Sequence, residues 1–373
     1  MTSGNDSIDE LFSVSWTHRL RFTDNAFVQG GSLDEVIHEL NPATILTVVD
    51  IGIENNNPIF TQSLHQWLNT TDCNRCAPIV LLGGEQAKND MSIVNQVLGS
   101  INTNNLCRKS CVLVCGGGAV LDAVGYATSI AHRGIPIIRM PSTTLSQCDS
   151  GVGVKNAINH FGKKNFIGVF DPPFAVVNDF RLLESLDNKH WISGLSEAVK
   201  VALVKDGDFF REIESVASKL VQRDLAMMTL IVKKSAILHL EHITNGGDPF
   251  ERLDARPLDF GHWAAHKLEQ ITNNELTHGE AVSIGLAIDL RCSVGLGLLD
   301  DSVATRAITL LKNLSLPIHH PLMDSPALLE GIEEFRQHLG GQLTLLMLKD
   351  IAAPTNVHTL DAPIVRQAIS ELM

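Results

Sequence analysis

Several features are missing from this sequence, and each absence narrows the class of protein. No apolar run reaches the roughly 18 residues that a membrane-spanning helix needs, and the first residues lack the charged-then-apolar pattern of a secretory signal. Basic residues are in the minority, with 29 Lys and Arg against 42 Asp and Glu and a formal net charge of −13. Because nucleic-acid binding needs a basic face, we expect a cytoplasmic protein with neither nucleic acid nor a membrane as partner.

A cysteine framework is also missing. The chain has seven cysteines, an odd number without the spacing of a disulfide scaffold. Cys73 and Cys76 form a C-x-x-C pair, but no second pair follows at zinc-ribbon distance. Cys107, Cys111 and Cys115 lead into an apolar strand pattern, where buried reduced thiols are expected. The cysteines therefore predict neither a structural zinc site nor a redox centre.

The hydrophobic pattern changes near the middle of the chain. With 373 residues, of which 44% are hydrophobic, the length predicts two domains. Apolar runs typical of buried parallel strands occupy 44–51, 78–84, 110–115 and 135–140. Helical spacing dominates after about residue 185, over 192–204, 208–221, 224–243, 262–271, 279–295 and 301–314. We predict an α/β Rossmann-like domain over 1–185 and an all-α domain over 186–373.

Three histidines are concentrated in the second half. His262 and His266 are four residues apart and share one face of a predicted helix. His278 opens the next helical pattern, so imidazoles from two helix starts can converge on one point. With one acidic ligand, such a set suits a divalent metal. The alternative is a partly exposed surface pair, since the chain has 15 histidines.

A glycine turn separates a predicted strand from a predicted helix in the first half. Gly116, Gly117 and Gly118 let the backbone approach a pyrophosphate, and a helix N-terminus favours its negative charge. The spacing is not the G-x-G-x-x-G of the standard dinucleotide fingerprint. A tight turn without a ligand is therefore the alternative interpretation.

Two predicted loops carry polar groups that could contact a ligand. Hydroxyl residues follow a strand at 141–149, and Asp149 and Lys155 flank a glycine-containing loop. Lys164 and Asn165 lie in a second segment that we predict to be a loop able to meet a phosphate. Solvated loops are the alternative for both.

An acid and a lysine stand at the start of a predicted helix. Glu197 and Lys200 are three residues apart and share a helix face. An acid near the three histidines would complete a Glu-His-His metal site. A surface ion pair is the alternative.

In this order, the motifs resemble those of the sugar phosphate cyclase superfamily, whose best-known member is 3-dehydroquinate synthase. The resemblance covers about residues 45–295 and depends on several spacings that agree together. It implies an N-terminal NAD-binding α/β domain, a C-terminal helical domain, an active site in the cleft between them and a homodimer. It also implies two cofactors, NAD and a divalent metal such as Zn or Co.

The resemblance implies a role for each matching residue. The metal ligands would be Glu197, His262 and His278. The NAD contacts would be Asp50, Glu85, Lys88, Gly116, Gly117, Gly118, Asp122, Ser142 and Thr143. The catalytic residues would be Asp149, Lys155, Lys200 and His266, the last beside the leaving phosphate. The substrate contacts would be Lys164, Asn165 and Arg133, an arginine that the family lends across the dimer to the substrate phosphate.

The implied reaction eliminates phosphate without net oxidation. A sugar hydroxyl at C5 is oxidised by hydride transfer to NAD, which acidifies the neighbouring C6 proton. That proton passes to the substrate's own phosphate, and inorganic phosphate is expelled from C7. The hydride then returns, the ring opens and an aldol step closes a carbocycle. Lysines and Arg133 neutralise the phosphate and the enolate.

The sequence departs from 3-dehydroquinate synthases just before the first metal histidine. Those enzymes usually carry Arg-x-x-Leu-Asn-Phe-Gly-His, whereas here Arg256 is one residue nearer to the histidine and Asp259 replaces Asn. An Asp beside a substrate carboxylate would repel it by about 1–4 kcal/mol at 4 Å, for effective dielectrics of 80 to 20. We therefore predict a substrate without that carboxylate, a ketose 7-phosphate such as sedoheptulose 7-phosphate, with Arg256 and Asp259 at the subsite.

Two other activities stay open. The first is 3-dehydroquinate synthase acting on 3-deoxy-arabino-heptulosonate 7-phosphate, which His266 favours because several sedoheptulose 7-phosphate cyclases lack that histidine. The second is a metal-dependent polyol dehydrogenase, against which the lysines at 155, 164 and 200 argue. A lysine that the family carries upstream has no clear counterpart, since Lys234 lies too far back.

Overall fold

A parallel sheet forms the centre of the first half in the computed structural model, which describes residues 7–251, 257–338 and 341–373. Its seven strands are β1 (Arg19–Thr23), β2 (Thr44–Asp50), β3 (Asn74–Arg75), β4 (Ile79–Leu81), β5 (Cys111–Gly116), β6 (Ile137–Pro141) and β9 (Ala175–Asp179). The order is β1-β9-β6-β5-β2, and both β3 and β4 pair with the remaining edge of β2. The predicted Rossmann-like class is confirmed.

Helices cover both faces of this sheet, because its central strands are apolar on both sides. The helices are α1 (Ser32–Leu40), α2 (Ile51–Asn56), α3 (Pro58–Leu68), α4 (Ser92–Thr103) and α5 (Gly118–Ile130). Along β5, Val112 and Val114 enter the core beneath α4 and α5, whereas Leu113 and Cys115 enter the opposite core with α1 and α3. This alternation follows the two-residue period of a strand. Cys111 and Cys115 are buried, as predicted, but the same prediction was wrong for Cys107, which is exposed before β5; all seven cysteines are free thiols.

The strand order reverses between β2 and β5. The chain moves outward from β2 to β4, then returns to the other edge of β2 to form β5. Val49 pairs with Cys115, so Asp50 and Gly116 end adjacent strands at the same edge. Sheets of this kind bind ligands in the crevice at such a reversal.

A separate antiparallel hairpin extends from the first half. It consists of β7 (Lys155–His160) and β8 (Lys163–Phe170), joined by Phe161 and Gly162. Both turn residues have positive φ, 51° and 70°, as a two-residue type I′ turn requires. The prediction of a loop at Lys164 and Asn165 was therefore wrong, since both lie on β8.

The second half is mostly helical, as predicted. Its helices are α6 (Arg181–Glu184), α7 (Asn188–Ser193), α8 (Leu195–Lys205), α9 (Gly207–Val221), α10 (Leu225–Asn245), α11 (His262–Ile271), α12 (His278–Gly295), α13 (Asp301–Asn313), α14 (Pro326–His338) and α15 (Ala362–Ser370). Every predicted helical segment overlaps one of them. The sequence analysis did not predict the antiparallel pair of strands β10 (Leu345–Asp350) and β11 (Ala353–Val357). The predicted boundary at 185/186 falls between α6 and α7 and stays a prediction.

None of the helices within the described ranges combines the length and the apolar character that a membrane crossing requires. Helix α12 is the most buried of the long helices, with buried residues on every face. Asp289 is the one charged residue in the stretch 281–290 of this helix.

Helices α11 and α12 contact each other through the backbone of two glycines. Gly261, at the start of α11, has φ +80°, and a Cβ added to Gly285 of α12 would lie 2.0 Å from the Gly261 carbonyl oxygen. A side chain at either position would separate the helices. This contact sets how closely His262, the first residue of α11, approaches α12.

We expect Gly285→Ala to lower the free energy of unfolding by about 3 kcal/mol, because the new methyl group overlaps backbone that cannot yield without moving a helix. Urea denaturation measures this. Gly99→Ala is the matched control: Gly99 lies in α4 with nothing within 4 Å of an added Cβ, and we expect about 0.5–1 kcal/mol of stabilisation there. Equal effects at the two glycines would contradict the close-contact explanation.

Candidate active site

Three side chains with metal-binding atoms converge where α8, α11 and α12 meet. Glu197 lies in the first turn of α8, and His262 and His278 are the first residues of α11 and α12. Oε1 of Glu197 is 3.8 Å from Nε2 of His262 and 3.4 Å from Nε2 of His278. Two ligand atoms bound to one tetrahedral zinc lie about 3.3 Å apart. The three residues are therefore spaced to hold one divalent ion.

The Glu197 carboxylate is fully buried and incompletely satisfied. Its Oε2 contacts Nζ of Lys200 at 2.5 Å, but neither oxygen receives a hydrogen bond of regular geometry. A buried carboxylate in that state is costly. A cation at the convergence point would satisfy the free lone pairs, so the residues present fit a metal.

The two histidines differ in their electrostatic surroundings. Burial, followed by the charge of Lys200, lowers the pKa of His262 well below its usual range, which keeps the imidazole in the neutral form that binds metals. Burial by itself would also lower the pKa of His278, but Glu269 and Glu197 raise it to about 10. Two carboxylates directed at one imidazole make this a point that attracts positive charge.

His266 completes the predicted histidine group. Its ring centroid is 5.4 Å from that of His262 and 6.0 Å from that of His278. The four-residue spacing on α11 produces the first contact, and the start of α12 produces the second. All three predicted histidines therefore meet.

A network of buried charges extends from Glu197 toward the first half. Lys200 is 2% exposed and lies 3.7 Å from Asp149 as well as 2.5 Å from Glu197. Burial alone would lower the pKa of Lys200, but Asp149, Glu197 and more weakly Asp259 raise it. Burial alone would raise the pKa of Asp149, but Lys200 and His239 hold it well below its usual range. The short turn Pro257–Asp259 packs against α8, the helix of Glu197 and Lys200, so Asp259 lies near the site.

His239 is a site residue that sequence reasoning missed. It lies on α10 and forms an ion pair with Asp149 through Nδ1 and Oδ1. Lys234, five residues earlier on the same helix, is turned toward Glu212 and Asp206 instead. No local pattern reveals His239, because its contact depends on how α10 packs against the short π-turn Ser146–Ser150 that carries Asp149.

Lys164 connects the hairpin to both halves of the chain. Its Nζ is 2.5 Å from Oε1 of Glu269 on α11 and 3.3 Å from Oε1 of Glu85. Burial alone would lower the pKa of Lys164, but Glu269 and then Glu85 raise it. Glu269 was also missed, although its position three residues after His266 on one helix was an available signal.

The predicted NAD contacts all lie beyond the carboxyl edge of the sheet. They are Asp50 at the end of β2, Glu85 and Lys88 in the turn after β4, Gly116 at the end of β5, Gly117 in the turn that follows, Gly118 and Asp122 in α5, and Ser142 and Thr143 after β6. Lys88 links this group to the hairpin, since its Nζ is 2.5 Å from Oδ2 of Asp122 and 2.5 Å from Oδ1 of Asn165.

The glycine turn leaves little room for side chains. A Cβ at Gly118 would lie 2.6 Å from Oγ of Ser150, and one at Gly116 would lie 3.0 Å from Val120. Asp50 accepts a hydrogen bond from the Gly52 backbone, and burial raises the pKa of its carboxyl. The N-terminus of α5 has no side-chain cap, and a helix N-terminus beside an acid is the arrangement that a pyrophosphate and a ribose require.

Two predicted residues are not brought to this cluster, and a third was not described. Lys155 has a side chain that is 56% exposed and pairs with Glu251 at 2.5 Å. Arg133 is exposed just beyond the C-terminal end of α5, whose 13 residues separate it by about 20 Å from the glycine turn of its own chain. Arg256 lies outside the described residues. Asp259, in the short turn Pro257–Asp259, is the described member of the predicted subsite.

Asp289 secures the start of the helix that carries His262. Its Oδ2 accepts a hydrogen bond from the Gly261 backbone N–H at 2.8 Å, and its Oδ1 accepts one from Nε1 of Trp263 at 2.7 Å. The carboxyl is fully buried in α12, and burial raises its pKa to about 7 although both hydrogen bonds lower it. One acid on α12 thus holds the residues on both sides of His262.

The raised pKa makes Asp289 a pH-dependent contributor to stability. Its folded value, about 7, exceeds the unfolded value of about 3.9, so the wild-type protein loses stability as the pH rises toward 7. Asp289→Asn removes this titration. We expect the free energy of unfolding of the variant, relative to wild type, to increase by about 3 kcal/mol between pH 5 and pH 8. Urea denaturation with a chelator present measures it, and a pH-independent difference would contradict the prediction.

Comparison with known proteins gives matches along most of the chain. The family models for the N-terminal and C-terminal domains of 3-dehydroquinate synthase match residues 78–193 and 194–337. A 3-dehydroquinate synthase from Coxiella burnetii (strain CbuG_Q212) is 34% identical over 280 residues, 74% of this chain and 77% of the relative. A 2-epi-valiolone synthase from Actinosynnema mirum is 34% identical over 236 residues, 63% of this chain and 61% of the relative.

A solved structure is similar over nearly the whole length. ValA, a 2-epi-5-epi-valiolone synthase from Streptomyces hygroscopicus subsp. jinggangensis 5008 with NAD+ and Zn2+ bound, superposes with a TM-score of 0.89 at 25% identity. The match covers 98% of this chain and 99% of that one. The two-part architecture is therefore shared in full.

Proposed function

Because this chain belongs to the 3-dehydroquinate synthase family of sugar phosphate cyclases, we propose that it is an NAD- and metal-dependent lyase that cyclises sedoheptulose 7-phosphate to a cyclitol. The observation that carries the choice of substrate is Asp259, which lies in a turn packed against α8, the helix of Glu197 and Lys200. A carboxylate at this place repels an acid at C1, and it accepts hydrogen bonds from the hydroxyl groups of a neutral polyol.

The two cofactors occupy the two halves of the cleft in this proposal. Glu197, His262 and His278 hold Zn or Co, and the crevice beside Asp50 and the glycine turn holds NAD. The bound NAD+ and Zn2+ of ValA support this assignment. When bound, the two groups supply hydride exchange at C5 and polarisation of its hydroxyl.

The charged residues bind the sugar and move its protons. Lys200 stays protonated and donates hydrogen bonds to substrate oxygens, whereas Asp149 stays ionised and accepts them. Lys164 binds the C7 phosphate, whereas Lys155, which is exposed and paired with Glu251, is not assigned to the site. His266, within 6.0 Å of the His278 ring, lies beside that phosphate as it leaves with the C6 proton.

Arg133 acts from a second subunit in this proposal. It is exposed and lies about 20 Å from the glycine turn of its own chain, so it cannot serve the cleft of that chain. A homodimer in which Arg133 enters the neighbouring cleft adds a guanidinium to the lysines around the phosphate.

A substrate comparison tests the proposal. Purified protein with NAD and Zn(II) or Co(II) is incubated with sedoheptulose 7-phosphate or 3-deoxy-arabino-heptulosonate 7-phosphate, and inorganic phosphate and NADH are measured. We expect phosphate from the first sugar and no net NADH, because the hydride returns to the substrate. Phosphate from the carboxylated sugar alone would make the chain a 3-dehydroquinate synthase, and net NADH with a simple polyol would make it a dehydrogenase.

We expect Asp259→Asn to shift the preference toward the carboxylated sugar. Removing a repulsion of about 1–4 kcal/mol raises the ratio of its kcat/KM to that of sedoheptulose 7-phosphate by about fivefold or more. The matched control is Asp208→Asn, which removes an exposed acid on α9. A ratio that stays constant in Asp259→Asn would exclude Asp259 as the source of selectivity.

A further inference from the structure

Glu269 is a buried carboxylate that neither ligates the metal nor binds substrate in the proposed function. We infer that it is a positioning residue, which orients His278 toward the metal and links that ligand to Lys164. The inference rests on the proposed role of His278 as a metal ligand. It concerns how the ligand is held, and its test needs no sugar.

The contact between Glu269 and His278 fixes the imidazole. Oε2 of Glu269 is 3.2 Å from Nδ1 of His278, and the opposite nitrogen, Nε2, is 3.4 Å from Oε1 of Glu197. When Nδ1–H donates to a carboxylate, the lone pair of Nε2 is left free for the ion. Carboxylates that hold a histidine in this way raise its basicity and fix its ring orientation.

One helix supplies both the ligand and the group that orients the other ligand. Glu269 follows His262 by seven residues on α11, nearly two helical turns, so both side chains project from the same face. The start of α12 places His278 between them. The glycine contact between α11 and α12 therefore sets the position of Glu269 as well as that of His262.

The second oxygen of Glu269 connects the metal site to the other half of the chain. Oε1 is 2.5 Å from Nζ of Lys164 on β8, and the Glu269 side chain is 2% exposed. Lys164 is the lysine proposed to bind the substrate phosphate. Glu269 thus contacts both a proposed metal ligand and a proposed phosphate ligand, through different oxygens.

A competing arrangement has Glu269 itself as a ligand, together with His266 and His278. Their donor atoms also lie within 4.8 Å of one another. Against it, both oxygens of Glu269 already have hydrogen-bond partners, Lys164 and His278, whereas neither oxygen of Glu197 has one. Both arrangements require His278, so the two are alternatives for a single ion, and His266→Ala separates them.

The test measures metal affinity and Co(II) absorption without substrate. We expect Glu269→Gln to weaken Zn(II) or Co(II) binding by about 10- to 100-fold, as loss of such a partner does, and to change the Co(II) spectrum. Glu334→Gln is the matched control, since it removes a 2.6 Å ion pair with Lys267 of the same helix, away from the metal. Wild-type affinity and spectrum in Glu269→Gln overturn the inference.

Three further variants keep the test decisive. Glu269→Asp keeps the negative charge but has a shorter side chain, and it replaces Glu269→Gln in the test if that variant does not fold. We expect Glu269→Asp to bind metal more weakly than wild type. Wild-type metal affinity in this variant would refute the inference. Lys164→Met should bind metal within about threefold of wild type, because the contact with His278 remains. His266→Ala should do the same. A loss in either variant as large as that expected for Glu269→Gln overturns the inference.

The proposed function fails in a different way. Absence of phosphate release, or absence of metal binding by the wild-type protein, would refute the cyclase proposal. The inference about Glu269 is decided by the difference in metal affinity between wild type and variants, whichever sugar the enzyme uses.

Discussion

The burial of Glu197 is the constraint on which the rest of the site depends. A carboxylate enclosed by helices must have positive partners, because leaving it unpaired costs several kcal/mol. Lys200 reaches it along the same helix, and His262 and His278 reach it from two other helix starts. Those starts can converge only because α11 and α12 touch through glycine backbone and because Asp289 holds the residues beside His262. The packing of α11 against α12, the hydrogen bonds of Asp289 and the surrounding charges thus all stabilise the buried Glu197 carboxylate.

The two halves of the chain are joined by charges of opposite sign. The parallel sheet presents an acid and a glycine turn at its reversal point, whereas the helical half presents the candidate metal cluster. Lys164 spans the gap, with Glu85 on one side and Glu269 on the other. In the proposed function the substrate phosphate meets a lysine already held in place by carboxylates, so little side-chain entropy is lost on binding.

The sequence predicts those parts of the molecule that depend on local pattern. Apolar runs located β2 and β5 within a residue or so, and the starts of α11 and α12 followed from the histidine spacing. The hairpin carrying Lys164 was missed because two positive-φ residues, Phe161 and Gly162, close it, and their polar flanks resemble a loop. His239 was missed because only the packing of α10 brings it to Asp149. Tertiary contacts of this kind produce no periodic pattern in the sequence.

The backbone contact between Gly261 and Gly285 divides the site into a part that tolerates substitution and a part that does not. Residues C-terminal to Gly261 are bound to α12 and to the metal ligands, so substitutions there disturb the whole centre. The short turn Pro257–Asp259 precedes this contact and is only half-buried. Selection for a new sugar can therefore act on that turn while the redox and elimination chemistry is inherited unchanged. A family built in this way can diversify its products by altering a few residues upstream of one glycine.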